Sequence, residues 1–258
     1  MICDSHVHMG YYRRAGYDGL YYYSPRKVAG VMRRIGVDRF IVSSTTAQFD
    51  ASYSDLLREA EEMKRIAGEH AHIFFWMTEP LLKCNPNLEF LETGLFDGVK
   101  FHELVTPWFS KLRNCFNSIL EELEKKAIPV QIHTGNTKGC RVSELEVLAD
   151  RFLTLKMDFA HFFPASEMIG IMNRHCNVFT DVAMYIPELY SLIPSEIGND
   201  TNVMFGSDFP AYHESEREGM SISYRRKLAE FLLRFQEGRS ENAFDRFLRT
   251  RRQPEPLY

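Results

Sequence analysis

Residues 1–10 read MICDSHVHMG, and this stretch separates two α/β folds. A short apolar start is followed by Asp4, His6 and His8 on one parity. Residues two apart in a β-strand point to the same face, so a strand here presents two imidazoles side by side at its end. The first strand of a doubly wound open sheet normally runs into a Gly-rich turn that cradles a pyrophosphate. HVHMG cannot serve in that way. Two imidazoles on one face can hold a cation; they can also be a coincidence in a chain with nine histidines.

Outward from this stretch, apolar, β-branched or aromatic runs alternate with segments of helical period. The runs lie at 2–8, 38–44, 72–79, 97–104, 128–135, 155–162, 176–183 and 202–209. SPRKVAGVMRRIG predicts a helix capped by Ser24, with Pro25 at its first position, Val28, Val31, Met32 and Ile35 in one stripe and Gly36 as terminator. SDLLREAEEMKRIAG repeats the grammar, with Ser54 as cap and Gly68 as stop. KLRNCFNSILEELEKKA, SELEVLADRFL and ASEMIGIMNRH read as further helices. IPELYSLIPSEI is weaker, and a long helix covers ISYRRKLAEFLLRFQ. NPNLEFLETGL, between the third and fourth runs, is the least regular. Eight strand–helix units imply parallel strands joined by crossovers, and this length suits a single (β/α)8 barrel domain over residues 1–258.

The bulk numbers fit that reading. With 258 residues, 45% hydrophobic, the chain buries about three-quarters of its unfolded surface. A net charge of −4 makes nucleic acid a poor partner. No apolar run approaches the ~20 residues of a membrane span, and MICDSHVH, with a charge at its fourth position, is not expected to act as a signal peptide. Five scattered cysteines without a CxxC read as reduced thiols of a cytoplasmic protein. A small-molecule substrate is the expected partner, with neither nucleic acid nor membrane; homo-oligomer formation is left open.

Catalytic groups of a barrel sit at the C-terminal ends of its strands. The first run ends in His6 and His8, the fifth in His133 (QIHTG), the sixth in His161 (FAHF) and the eighth in Asp208 (GSDFP). The fourth carries Lys100, His102 and Glu103. A single strand-end histidine is ordinarily a hydrogen-bonded rim residue, and a single aspartate a turn residue. Four imidazoles and a carboxylate converging on one mouth must instead be paired or bind a cation.

DSHVH, GVKFH, QIHTG, FAHF and GSDFP, with SENAFDRFL near the end, resemble the amidohydrolase superfamily of metal-dependent (β/α)8 enzymes, and most closely its amidohydrolase 2 branch of hydrolases and decarboxylases. The resemblance spans the whole chain. It implies that His6, His8, His133 and Asp208 hold one divalent metal, Zn²⁺ being the ion that imidazole and carboxylate suit. It also implies that Asp208 takes the proton of a metal-activated water and that His161 lies beside the water or the substrate carbonyl. Lys100, on the fourth strand, is where two-metal members carry a carboxylated lysine bridge, with His133 and His161 on the second ion. One ion is preferred to two. Asp4 is either a partner for a histidine N–H or a buried capping carboxylate. His102 is either a pocket residue or, by some preference, an ordinary satisfied strand histidine; Arg13, Arg14 and Arg141 either meet a substrate carboxylate or are solvated, and the Tyr- and Arg-rich YYRRAGYDGLYYYS is a wall over the mouth. Lys138 stands in the same ambiguity as Arg141. His70, His72 and His175 fall at the wrong ends of their strands, and His213 lies in an exposed loop.

The reaction implied is hydrolysis of a C–N or C–O bond (amide, ester or lactone). Decarboxylation or another C–C cleavage is the alternative, and a metal-binding barrel without turnover a second. A TatD-type phosphoesterase would want a glutamate where Lys100 or His102 stands.

Overall fold

Each of the eight apolar runs forms a strand. The computed structural model describes residues 1–13, 19–49, 51–84, 88–103, 105–108, 111–136, 138–183, 202–211, 224–229, 231 and 239–249. Its strands are β1 (Cys3–Arg13), β2 (Leu20–Tyr23), β3 (Arg39–Ser44), β4 (Ala71–Trp76), β5 (Gly98–Phe101), β6 (Val130–Ile132), β7 (Met157–Phe159), β8 (Val178–Asp181) and β9 (Val203–Met204). β1 and β3 to β9 lie in chain order and pair in parallel. The last strand returns to the first. Ser5 N–H donates to Phe205 O (2.8 Å), His8 N–H to Phe209 O (2.7 Å) and Asp208 N–H to His6 O (2.9 Å). The ring is a (β/α)8 barrel, as the eightfold alternation predicts.

The helices follow their sequence signals closely. In α1 (Pro25–Ile35) Ser24 Oγ accepts from Lys27 N–H, and Gly36 ends the helix at φ 83°. A left-handed residue there costs glycine nothing. Helix α2 (Tyr53–Ala67) corrects one expectation: its cap is Ser52, not Ser54. The reason is Asp55. Its carboxylate accepts from Ser52 N–H while Ser52 Oγ accepts from Asp55 N–H, a reciprocal pair that fixes the first turn. Two short helices, α3 (Glu79–Cys84) and α4 (Glu89–Glu92), occupy the irregular fourth connection. Helices α5 (Arg113–Lys125), α6 (Val142–Arg151) and α7 (Ala165–Arg174) follow. IPELYSLIPSEI lies outside the described residues. Of the long helix expected over ISYRRKLAEFLLRFQ, residues 224–229 are helical. Among the described residues, no helix is long and apolar enough to cross a membrane.

The expected wall after the first strand is in part a hairpin. β1 runs on to Arg13 and pairs antiparallel with β2, Gly10 opposite Tyr23 and Arg13 opposite Leu20. Runs of tyrosine favour an extended, half-buried ribbon over an irregular loop. At the opposite end of the barrel, α8 (Arg239–Leu248) closes the floor. Its Phe244 and Phe247 pack with Cys3, Ile41, Phe74, Phe179 and Met204. Arg39, at the start of β3, pairs with Asp245, and Arg246 donates to Asn202 just ahead of β9 (3.0 Å).

Candidate functional site

Six barrel strands deliver polar side chains to the mouth opposite α8. His6 and His8 come from β1, and Lys100 from β5 with His102 directly after it. His133 follows β6, His161 follows β7, Asp181 ends β8 and Asp208 follows β9. All but Asp181 line a cavity of about 390 Å³, with Tyr12, Thr45, Gln48, Trp76 and Ala211 on its walls. That is the lower end of the range for small-molecule pockets.

Three ligand-type atoms meet in a triangle. His6 Nε2 and His8 Nε2 are 3.2 Å apart, His8 Nε2 and Asp208 Oδ1 3.1 Å, and His6 Nε2 and Asp208 Oδ1 3.7 Å. The opposite side of each imidazole has its own partner. His6 Nδ1 is 2.8 Å from Asp181 Oδ2, and His8 Nδ1 is 3.0 Å from Ser43 Oγ. Lys100 Nζ stands 3.4 Å from His6 Nε2. The fourth ligand expected from the sequence, His133, lies one step aside. Its Nδ1 is 2.9 Å from His161 Nε2, and its ring stacks on His102 at 3.9 Å. His161 in turn stacks on His6 at 4.8 Å.

Burial sets the charge state of these groups. It holds His6 and His133 well below the ordinary histidine range, aided by the Lys100 charge near His6 and by His102 and His161 near His133. It brings His102 and His161 down to about 3. These four imidazoles are therefore neutral at neutral pH and carry a lone pair each. Burial opposes ionisation of Asp208, yet the His8 hydrogen bond holds its carboxyl below the usual range. Burial lowers the proton affinity of Lys100, against the pull of the Asp181 and Asp208 charges.

Beneath the triangle lies a second polar layer. Gln131 Nε2 donates to Ser5 O (3.0 Å) and to Asp158 Oδ2 (2.7 Å). Burial, and then the Asp181 charge, push the Asp158 carboxyl well above its ordinary range, so it keeps its proton. Asp158 Oδ1 is buried without a hydrogen-bond partner among the described residues, a setting that favours the protonated carboxyl. Asp4 proves to be the capping carboxylate of the two roles foreseen for it. It accepts from His6 N–H (3.1 Å), Ser207 N–H (3.0 Å) and Tyr224 Oη (3.0 Å), and the imidazole N–H of His6 goes to Asp181 instead. Lys227 is buried, donates to Ala183 O, and is brought down to about 8 by that burial. At the rim, Glu59 accepts from Ser44 Oγ and Thr46 Oγ1. It thereby anchors the 3-10 turn Thr45–Gln48 that supplies two wall residues.

Two expected pocket residues stand elsewhere. Arg13 is exposed, its guanidinium 5.9 Å from the Phe49 ring. Arg141 is exposed at the start of α6, its Nε donating to Asn136 O at 3.4 Å. Neither lines the cavity. Both are long charged side chains, one at the end of β1 and one just ahead of α6, where solvation is cheaper than burial. Lys138 is likewise exposed. His70, His72 and His175 bond to Asp38 O, Arg39 and the Glu146–Asp150 pair respectively, away from the cavity. His213 and Arg14 lie outside the described residues. Asp181 is the polar residue that the sequence reading missed. Its signal was present: FTDVA ends an apolar run with an aspartate, as FGSDFP does.

Comparisons with known proteins bear on the fold and the family. No curated protein matches the sequence. Solved structures share the fold at low identity. One is titled a "probable 2-pyrone-4,6-dicarboxylic acid hydrolase" from Acinetobacter baumannii, with citric acid bound. It is 12% identical with a TM-score of 0.68, the match covering 96% of this chain and 98% of that one. An amidohydrolase from Burkholderia multivorans with bound zinc is 14% identical with a TM-score of 0.60, over 96% and 99%. 4-Oxalomesaconate hydratase from Rhodopseudomonas palustris is 13% identical with a TM-score of 0.57, over 96% and 93%. The profile described as Amidohydrolase (Amidohydro_2) matches residues 85–230, a span that takes in the Lys100, His133, His161 and Asp208 strand ends, and the chain belongs to that family.

Proposed function

We propose that this protein is a metal-dependent hydrolase of a C–N or C–O bond in a small molecule, with His6, His8 and Asp208 holding one divalent ion. The observation that carries this is the triangle. Ligands at 2.0–2.2 Å from a tetrahedral zinc are roughly 3.4 Å from one another, and the three separations are 3.2, 3.1 and 3.7 Å. His6 is neutral and Asp208 ionised, as ligands must be. His133 stands ready as the fourth group of the expected set. When bound, the ion supplies Lewis acidity, lowering the pKa of water and polarising a carbonyl. A single ion is preferred because Lys100 keeps its Nζ at 3.4 Å from His6 Nε2, a cation beside the first ion's ligand and not a bridge to a second.

The remaining roles fall to the chain's own groups. Asp208 is proton-free when substrate arrives and accepts the proton of the attacking water. Its low proton affinity makes it pass that proton on to the leaving group. His161, neutral and fixed by stacking on His6, donates a hydrogen bond to the substrate carbonyl or orients the water. Lys100 offers an N–H donor on the cavity wall, where negative charge develops. Likeness to a pyrone dicarboxylate hydrolase favours a lactone or ester over an amide.

The test is metal analysis of purified protein followed by a screen of amides, esters and lactones, with carboxylic acids assayed for CO₂ release. One zinc per chain and hydrolytic turnover lost on chelation is the expected result. Full activity in metal-free protein refutes the reading, and CO₂ release without hydrolysis replaces it by the decarboxylase alternative.

A further inference from the structure

We propose that Asp181 is a positioning residue: it fixes the tautomer of His6 so that the Nε2 lone pair faces the cavity, and it holds the backbone of His161 in place. Its two carboxylate oxygens have separate duties. Oδ2 accepts from His6 Nδ1 at 2.8 Å. Oδ1 accepts from His161 N–H at 3.1 Å and from Ala183 N–H at 2.9 Å. A carboxylate only accepts, so the His6 proton resides on Nδ1 and the lone pair on Nε2. Lys100 Nζ, a donor, meets that same Nε2 at 3.4 Å, which agrees.

The second duty is backbone strain. His161 has φ 81°, a left-handed conformation that a non-glycine residue keeps only when its surroundings insist. The Asp181 bond to its N–H is one restraint, and Thr180 Oγ1 accepting from the next N–H, that of Phe162 (3.1 Å), is another. Gly206 shows how tightly the arrangement is packed. A Cβ there would lie 3.0 Å from both Asp181 Oδ1 and His6 Cβ, so the glycine of GSDFP leaves room for the His6–Asp181 pair.

Asp181 can also be grouped geometrically with His6 and His161 as three ligand atoms. Hydrogen-bond length to His6 and two backbone donors on the other oxygen make it an acceptor there and not a ligand.

Asp181→Asn distinguishes the roles. The single carbonyl oxygen of asparagine stays with the two backbone N–H groups, because an NH₂ there would oppose both. The NH₂ then faces His6 Nδ1 and forces the ring proton onto Nε2, removing the lone pair. An asparagine in place of a histidine-orienting aspartate inverts the imidazole in this way. The experiment is ¹⁵N-histidine NMR of the metal-free protein at neutral pH, with zinc affinity measured by chelator competition. Expected are an Nδ1–H His6 in the parent, an Nε2–H His6 in the variant, and zinc binding weakened 10- to 100-fold while circular dichroism stays parental. An Nε2–H tautomer in the parent, or an unchanged tautomer in the folded variant, overturns the proposal. If the variant does not fold, the parental spectrum decides alone. The zinc arm rests on the metal reading above, the tautomer arm does not. A parent that binds no zinc therefore refutes that reading while the spectrum still judges Asp181.

Discussion

Replacing Lys100 by methionine separates the single-ion reading from the bridged two-ion one without any substrate. Lys100 is 1% exposed, and methionine nearly preserves its volume while removing the charge. Nζ is 3.4 Å from His6 Nε2. One metal–nitrogen bond of ~2.1 Å further places an ion bound there no more than about 5.5 Å from the ammonium. At an effective dielectric of about 20, a divalent and a univalent cation at that separation repel by roughly 6 kcal/mol. Burial already lowers the proton affinity of Lys100, and proton loss relieves part of this repulsion. A tenfold change in affinity needs only about 1.4 kcal/mol. Lys100→Met should therefore bind zinc at least tenfold more tightly, with fewer protons released per ion in unbuffered titration. The assay is competition against a chromophoric chelator at pH 7.5, with metal stoichiometry by mass spectrometry. Equal or weaker binding refutes the reasoning. Loss of a second equivalent, restored by added short carboxylates, would make Lys100 a bridging ligand.

Asp208→Asn should leave the fold intact, weaken zinc, and lower kcat by ~10²–10⁴ when the metal is resupplied; near-parental kcat in a metal-saturated variant would clear Asp208 of the proton-accepting role. Lys227 gives a pH signature, since its proton is held up to 10.5 in the unfolded chain and only to about 8 in the fold. The folded state binds fewer protons in between, so parental stability rises with pH there, by roughly 2 kcal/mol from pH 7 to 9.5; Lys227→Met should lack that rise in urea unfolding, and parallel profiles would refute it. Gly10→Ala combines φ 92° with a Cβ 2.2 Å from Thr46 Oγ1 and 2.9 Å from Thr46 N. It should cost about 3 kcal/mol or more of unfolding free energy, and a cost under 1 kcal/mol would show that the hairpin base yields.

The barrel was legible because its signals are local. Each strand is a short apolar run, each well-formed helix has an apolar stripe, and Ser24, Pro25 and Gly36 punctuate α1 as the residues themselves demand. The polar ends of the runs named His6, His8, His133, His161 and Asp208 for the same reason: a charged or imidazole side chain closing a buried strand is visible in one window of sequence. Competition between neighbours was less legible. Ser52 and Ser54 are equally good caps until Asp55 chooses one. The Tyr-rich stretch read as a loop because its partner strand lies inside the same stretch. Lys227 sits in a helix of good period, and nothing in KLAEFLL says that this lysine is one of the buried positions.

What the sequence cannot express is how one side chain's hydrogen-bonding capacity constrains another 175 positions away. HVH presents two equal histidines, yet the fold treats them differently. The outer nitrogen of His6 meets a carboxylate, which only accepts, so the proton pattern of that ring is set. The outer nitrogen of His8 meets the Ser43 hydroxyl, which donates or accepts as required. His8 is therefore able to give its Nε2 hydrogen to Asp208 at 3.1 Å in one state and to present a lone pair in another. His6 presents its lone pair in both. A motif of two identical letters becomes one fixed and one adaptable ligand. The difference arises from strands β8 and β3, on whose residues the first ten positions are silent.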